Sequence, residues 1–298
     1  MSLSSEDRML RLAGIQLACA PDKKRNLLRA VELIRLAAAE GAQLACLQEL
    51  CVTPWFPSGK DAAAFSLAEP VDGETVQTLA EVAAATRLAL VCPIFERDGE
   101  RHFNSAVVLD ANGAVLGVYR KVHVPAIPLW EERYYFQLGD GGFPVFHVGG
   151  VCIGVQLSWD NFFPEGARAL ALQGAQVIFA PTAAAYDSQH RWATVISANA
   201  IANGCFAFRV NRVGTEGAQN FYGKSFCVDP NGEMIIEPSG AYDAVVLADL
   251  DLALIDIVRA EWTLFQDRRI DEYGLLTKIP TPAGLNAPEL ERPAGAQP

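Results

Sequence analysis

Three polar residues stand where apolar runs end: Glu49 in "LQEL", Lys121 in "YRKVHVP" and Ser158 in "QLSWDNFFPE". Carboxylate, ammonium and hydroxyl are the group types that serve as base, oxyanion holder and nucleophile. Each also has an ordinary structural use. Glu49 can cap the helix or loop after it, Lys121 can be the solvated end of a hairpin, and Ser158 can be a turn residue. Ligands in α/β sheets gather at the carboxyl ends of strands, so the three form a site only where the sheets bring those ends together.

The elements that must do this are legible from periodicity. "LRLAGIQLAC" has the length and apolar content of a strand, and Leu27, Leu28, Val31, Ile34 and Ala38 then share one helical face that Gly41 stops. "AQLACLQEL" comes next as a buried strand, so βαβ order implies parallel pairing, with Glu49 at or just past the carboxyl end. A helix is predicted across "GETVQTLAEVAAATRL", then the strand "LALVCPIF" and a hairpin, "HFNSAVVLD" with "AVLGVYRK", around Asn112-Gly113. Lys121 falls where that hairpin ends.

Strands "FPVFHV" and "VCIGVQL" lead to a helix starting near Pro164 and to the strand "AQVIFAP", which puts Ser158 at a strand-to-helix junction. A helix over roughly 188–203 is followed by strands "CFAFRVN", "GKSFCVD", "MIIEP" and "AVVLADLDL". The order predicts an α/β fold with helices outside two packed sheets, a four-layer α-β-β-α sandwich. We read 1–276 as a single domain and 277–298, with five prolines, as an extended or disordered tail.

Composition narrows the function classes. The 298 residues are 51% hydrophobic and 20% charged, enough apolar material for an extensive core. A net charge of -11 argues against nucleic acid or an anionic membrane as partner. No signal-peptide pattern opens the chain and no apolar stretch reaches the roughly 18 residues of a membrane span, so a cytoplasmic protein is expected. Seven widely spaced cysteines without a CxxC pair read as reduced core residues, and four scattered histidines make a metal site improbable.

In order and spacing, "LQEL", "YRKVHVP", "YYFQLGDGGFPVF", "SWDNFFPEGARALALQGAQVIFAPTA" and "FYGKSFCVDPNGE" resemble the nitrilase superfamily of carbon-nitrogen hydrolases over roughly residues 10–270. "FPEGARALALQGA" and "EERYYFQLGD" most resemble its branch of N-carbamoylputrescine amidases and related aliphatic amidases. The resemblance implies a Glu-Lys-Cys site in which Glu49 is general base, Lys121 stabilises the oxyanion and Ser158 occupies the position of the nucleophilic cysteine. It implies an assisting glutamate at Glu132, with Glu131 the weaker match, and an oxyanion N–H from Trp159. Asp160, Pro164, Glu165 and Arg168 would brace the turn. The implied reaction is amide hydrolysis through a thioester, with no cofactor, in a homodimer or higher homo-oligomer.

On the same reading, the loop "VPAIPLWEERYY" and the segment "TAAAYDSQHRW" would rim the pocket. Trp130, Tyr186, Asp187, His190 and Trp192 would then set specificity for a small linear amide or N-carbamoyl amine, with Asp187 placed to hold a cationic tail. Each of these also reads as an ordinary loop residue. Serine leaves three readings: an inactivated hydrolase, a natural non-catalytic binding protein for small molecules on the same fold, or a true serine hydrolase. "VQLSWDN" lacks the G-x-S-x-G elbow and no histidine is placed as base, which disfavours the last.

Overall fold

The computed structural model describes residues 8–185 and 188–278. Tyr186, Asp187 and residues 279–298, most of the expected tail, lie outside the described residues. The first half runs β1 (Met9–Gln16), α1 (Lys23–Ala39), β2 (Leu44–Leu47), α2 (Glu74–Thr86), β3 (Ala89–Asp98), β4 (Arg101–Leu109) and β5 (Val115–Arg120). Next come α3 (Glu132–Tyr135), β6 (Val145–Val148), β7 (Val151–Val155), α4 (Pro164–Leu172), β8 (Val177–Thr182), α5 (Gln189–Asn203) and β9 (Phe206–Asn211). Last are β10 (Val213–Glu216), β11 (Gln219–Tyr222), β12 (Phe226–Val228), β13 (Ala244–Asp251) and α6 (Ala253–Glu261).

One sheet has the order β13-β1-β2-β3-β4-β5 and the other β12-β9-β8-β7-β6. Each is built on three parallel strands, β1-β2-β3 and β7-β8-β9, with crossover helices between them. Parallel strands must be covered on both faces, and they are. The inner faces meet in one core where Leu12, Cys46 and Val91 pack with Ile153, Phe179 and Phe208. On one outer face Leu27, Val31 and Ile34 of α1 and Leu79 of α2 pack over Ala13, Ile15 and Leu90. On the other, Ala167 and Leu170 of α4 cover Ile178, while Ile196 and Ala200 of α5 cover Ala180 and Ala207. This is the four-layer α-β-β-α sandwich.

Local chemistry sets the element ends. Asp22 caps α1 by accepting from the Lys24 and Arg25 N–H groups, and Gly41, at φ 82, provides the left-handed turn after it. Pro164 opens α4 at the one place in a helix where a missing N–H costs nothing. A Cβ on Gly14 would lie 2.8 Å from the Phe208 ring, so the two sheets approach closely where β1 crosses β9.

Three features differ from the sequence expectation. "MIIEP" is not a strand: Val228 and Met234 share a single bridge, and Met234 and Ile235 are exposed. β12 is already the sheet edge, so a strand beyond it has no layer to bury its apolar side chains, and Pro238 cannot donate to a ladder. The ribbon β10-β11 and the helix α6 were not anticipated, both being short segments of mixed periodicity. The sandwich unit ends at Trp262, before the change of composition at 277, and a separate unit starts at Thr263. Its described part contains a 3₁₀ helix, Ile270–Thr277. Among the described residues no helix is long and apolar enough to cross a membrane, and all seven cysteines are free thiols.

Candidate active site

Glu49 lies two residues past the end of β2, Lys121 directly follows β5, and Glu132 opens α3. The Lys121 ammonium donates to Glu49 Oε1 at 2.8 Å and to Glu132 Oε2 at 2.6 Å, and all three side chains are fully buried. Asn104 on β4 donates a further bond to Glu49 Oε1, also 2.8 Å. The other oxygens, Glu49 Oε2 and Glu132 Oε1, have no hydrogen-bond partner. Each carboxylate therefore orients the ammonium with one oxygen and keeps the second available to accept a proton.

Burial works against the charged ammonium of Lys121, but Glu132 and Glu49 outweigh it and raise its pKa, so it stays protonated. Burial also pushes Glu132 up, to about 7, with the Glu49 charge adding to the rise and Lys121 opposing it. Two carboxylates share one cation, and the surplus negative charge is relieved by a proton on Glu132. Because its folded pKa lies above the unfolded value of about 4.5, its contribution to stability is complete below that value and is lost as pH rises towards 7. Urea unfolding across this window should show stability falling by at most about 1.4 kcal/mol per pH unit from this group. Glu132→Gln should flatten that slope, and an unchanged slope would refute the assignment.

Hydrogen bonds brace the scaffold around this cluster. The Arg212 guanidinium, buried and paired with Glu216 at 2.7 Å, donates to the carbonyls of Glu49, Leu50 and Thr53, fixing the loop after β2. Gly139 donates its N–H to Lys121 O at 2.8 Å, and a Cβ there would meet Arg120 O at 2.2 Å. Gly139→Ala must push the lysine strand away, costing about 1–3 kcal/mol. It should also lower turnover of a Ser158→Cys form at least about tenfold, since sub-ångström misplacement is felt in catalysis; retained turnover in an ammonia assay would contradict this role.

Ser158 begins a 3₁₀ turn, Ser158–Phe162, between β7 and α4, and it is buried with φ 44. A left-handed backbone costs a non-glycine residue about 1–2 kcal/mol, so the surroundings must impose it. Asn161 donates to Ser158 O at 2.9 Å and to Gln156 O at 3.0 Å, and is itself held by Asn199. Asp160, fully buried, accepts from Tyr119 Oη at 2.6 Å and from the His123 N–H at 2.8 Å. Asp160 thus ties the turn to the opposite sheet. Of the other expected braces, Pro164 starts α4, Glu165 is exposed in its first turn, and Arg168 donates to Ala202 O, linking α4 to α5.

Ser158 and Glu132 line one cavity of about 730 Å³, the size of a small-molecule site. Trp130, Trp159 and Trp192 line it too, with Ile127, Phe162 and Ala183–Ala185. Trp130 is held by a 3.3 Å bond from Nε1 to Ala183 O, and Trp192 by one of 3.1 Å to Ser188 Oγ. His190 is exposed, sits against Thr194, and is not among the lining residues. A second cavity of about 570 Å³, beside α1 and lined by Cys19, Arg29 and Asp243, holds none of these groups.

Residues 11–260 match the family described as carbon-nitrogen hydrolase. The chain belongs to the carbon-nitrogen hydrolase family. An N-carbamoylputrescine amidase of Solanum lycopersicum is 36% identical, covering 93% of this chain and 98% of that protein. A carbon-nitrogen hydrolase from Helicobacter pylori G27 superposes with TM-score 0.87 at 31% identity, covering 92% of this chain and 99% of that one. A cysteine-to-serine mutant of an amidase from Nesterenkonia, of the nitrilase superfamily, superposes with TM-score 0.75 at 31% identity, covering 86% and 97%. Sequence reasoning missed several residues around this cluster and cavity: Asn104, Gly139, the Arg212–Glu216 pair and the cavity-lining Arg191. The one available signal was a lone polar "NS" at the start of the apolar run in β4.

Proposed function

We propose that the chain is built to hydrolyse the carbon-nitrogen bond of a small linear amide or N-carbamoyl amine, and that Ser158 makes this form bind its substrate with little turnover. The observation that carries the reading is the buried ammonium of Lys121 between Glu49 and Glu132, each with a free oxygen, beside a cavity that also holds Ser158.

The Ser158 oxygen adds to the carbonyl carbon as its proton passes to the free oxygen of Glu49. Lys121, with the N–H of Trp159, holds the oxyanion. That proton goes on to the leaving nitrogen, the carbon-nitrogen bond breaks, and ammonia departs to leave an acyl ester. Water, losing a proton to Glu49, adds to the ester and releases the acid and the free hydroxyl. A thiol has a pKa near 8.5 and ionises readily beside an ammonium, whereas an alcohol is a far weaker acid, so the serine form stalls at the first addition.

A non-catalytic binding protein on the same fold is the second reading, favoured by Ser158 itself. Ammonia release from short amides, nitriles and N-carbamoyl amines, by the chain and by Ser158→Cys in parallel, tests both. Turnover confined to the cysteine form supports the hydrolase reading. Absence of turnover in both folded forms favours binding alone. By the resemblance, the working unit is a homodimer or larger homo-oligomer.

A further inference from the structure

Asn104 touches both members of the central ion pair. Its carbonyl accepts from the Lys121 N–H at 2.8 Å, and its side-chain amide donates to Glu49 Oε1, also at 2.8 Å. The side chain acts on Glu132 as well: burial raises that carboxyl's pKa, and Lys121 and Asn104 oppose the rise. The next residue of β4 holds the ladder in place. Ser105 pairs with Arg120 on β5, and its hydroxyl donates to the buried Glu96 of β3, which Arg120 grips with two bonds. These bonds fix the register of β3, β4 and β5 one residue before Lys121.

A glutamate held by a single donor is not fully placed. Its last torsion is broad and two-fold, so an ammonium alone lets the two oxygens exchange. Here Lys121, after β5, and Asn104, on β4, both donate to Oε1, while Oε2 has no hydrogen-bond partner. Two bonds from different strands on one oxygen oppose that exchange. Asn104 Oδ1 has no partner either, so the donor is the working part of this side chain. Among the described residues, the charged groups facing Glu49 are Lys121, Glu132 of α3, and Arg212 after β9, which donates to the Glu49 carbonyl. Asn104 is neutral and fixes geometry without altering their charge balance.

We infer that Asn104 is a positioning residue for the proposed hydrolysis: its amide pins the Glu49 carboxylate so that Oε2 is the oxygen that takes the nucleophile's proton. This role rests on the hydrolase reading for the reaction itself, and it deepens that reading by naming what orients the base. Asn104 then acts on kcat and leaves substrate affinity alone.

The test adds Asn104→Leu or Asn104→Asp to Ser158→Cys. On a short amide, Asn104→Leu, near-isosteric and without a donor, should lower kcat at least about tenfold with KM within about twofold. In Asn104→Asp a third carboxylate joins two that share one cation, so it takes up a proton above the ordinary range and regains a donor. Its loss should therefore be smaller at about pH 6 than at about pH 8, whereas Asn104→Leu, with no proton to gain, should lose equally at both. Unchanged kcat, a loss confined to KM, or an Asn104→Asp loss equal at both pH values overturns the role. Alkylation of residue 158 by iodoacetamide, mapped by mass spectrometry, reads the same base without turnover. Alkylation slowed at least about tenfold by Asn104→Leu, in a protein that releases ammonia from no amide, keeps the positioning role and removes the hydrolase. Ammonia release with kcat and alkylation both unmoved keeps the hydrolase and removes the role. Urea unfolding checks the fold, and Asn104→Asp, which keeps the side chain's shape, carries the test where Asn104→Leu does not fold.

Discussion

Ser158→Cys is expected to raise ammonia release by about three orders of magnitude or more, because it restores a nucleophile to groups that act only as a unit. The geometry to receive a thiol is in place. Asn161, Asp160 and Asn199 hold the turn that presents residue 158 at φ 44, and none of their bonds uses the Ser158 side chain. Sulfur for oxygen is nearly isosteric, so stability should change by less than about 1 kcal/mol. The two effects are separable: kcat measured on a short-amide panel reports the chemistry, and urea unfolding reports the fold. A cysteine form that is folded yet as slow as the serine form would remove the acyl-enzyme mechanism, and fast turnover by the serine form would remove the argument from acidity.

Lys121→Met should destabilise the protein by about 3–5 kcal/mol near pH 8, the loss seen when one member of a buried ion pair is removed. Glu49 and Glu132 would then face each other across a fully buried site with no cation. Without the opposing ammonium the folded pKa of Glu132 must rise further above its unfolded value of about 4.5, so the penalty shrinks as pH falls towards that value and a proton neutralises it. Unfolding at pH 5 and pH 8 measures the difference. Glu132→Gln in the Lys121→Met background should recover part of the loss at pH 8, where the lone methionine variant suffers most. An equal loss at both pH values would mean that the ammonium matters for packing alone. Turnover of the cysteine form should vanish with Lys121→Met at either pH, since among the described residues no other cation is bonded to the carboxylates.

Residues differ in how much of their role a linear sequence can display. The apolar runs of β1, β2, β7 and β8 are long enough, and their crossover helices periodic enough, to announce a parallel core covered on both faces. That placed Glu49, Lys121 and Ser158 at strand ends, and the resemblance supplied Glu132. The edge of the second sheet was misread because "MIIEP" has a strand's composition, while its pairing depends on a neighbour that a sheet edge does not have. Asn104, Arg212 and Arg191 gave almost no signal, because a polar residue in one element shows its role only through the element packed against it.

By itself, then, the order of residues determined the layers and the positions of the reactive groups along the chain, since periodicity and turn chemistry act over a few residues. Only the tertiary structure decided that Glu49 and Lys121, 72 residues apart, share a 2.8 Å bond, and that Arg191 is among the described residues on the cavity wall. Burial, ion pairing and pKa depend on what surrounds a group in space, and it is the stacking of the two sheets that places those surroundings.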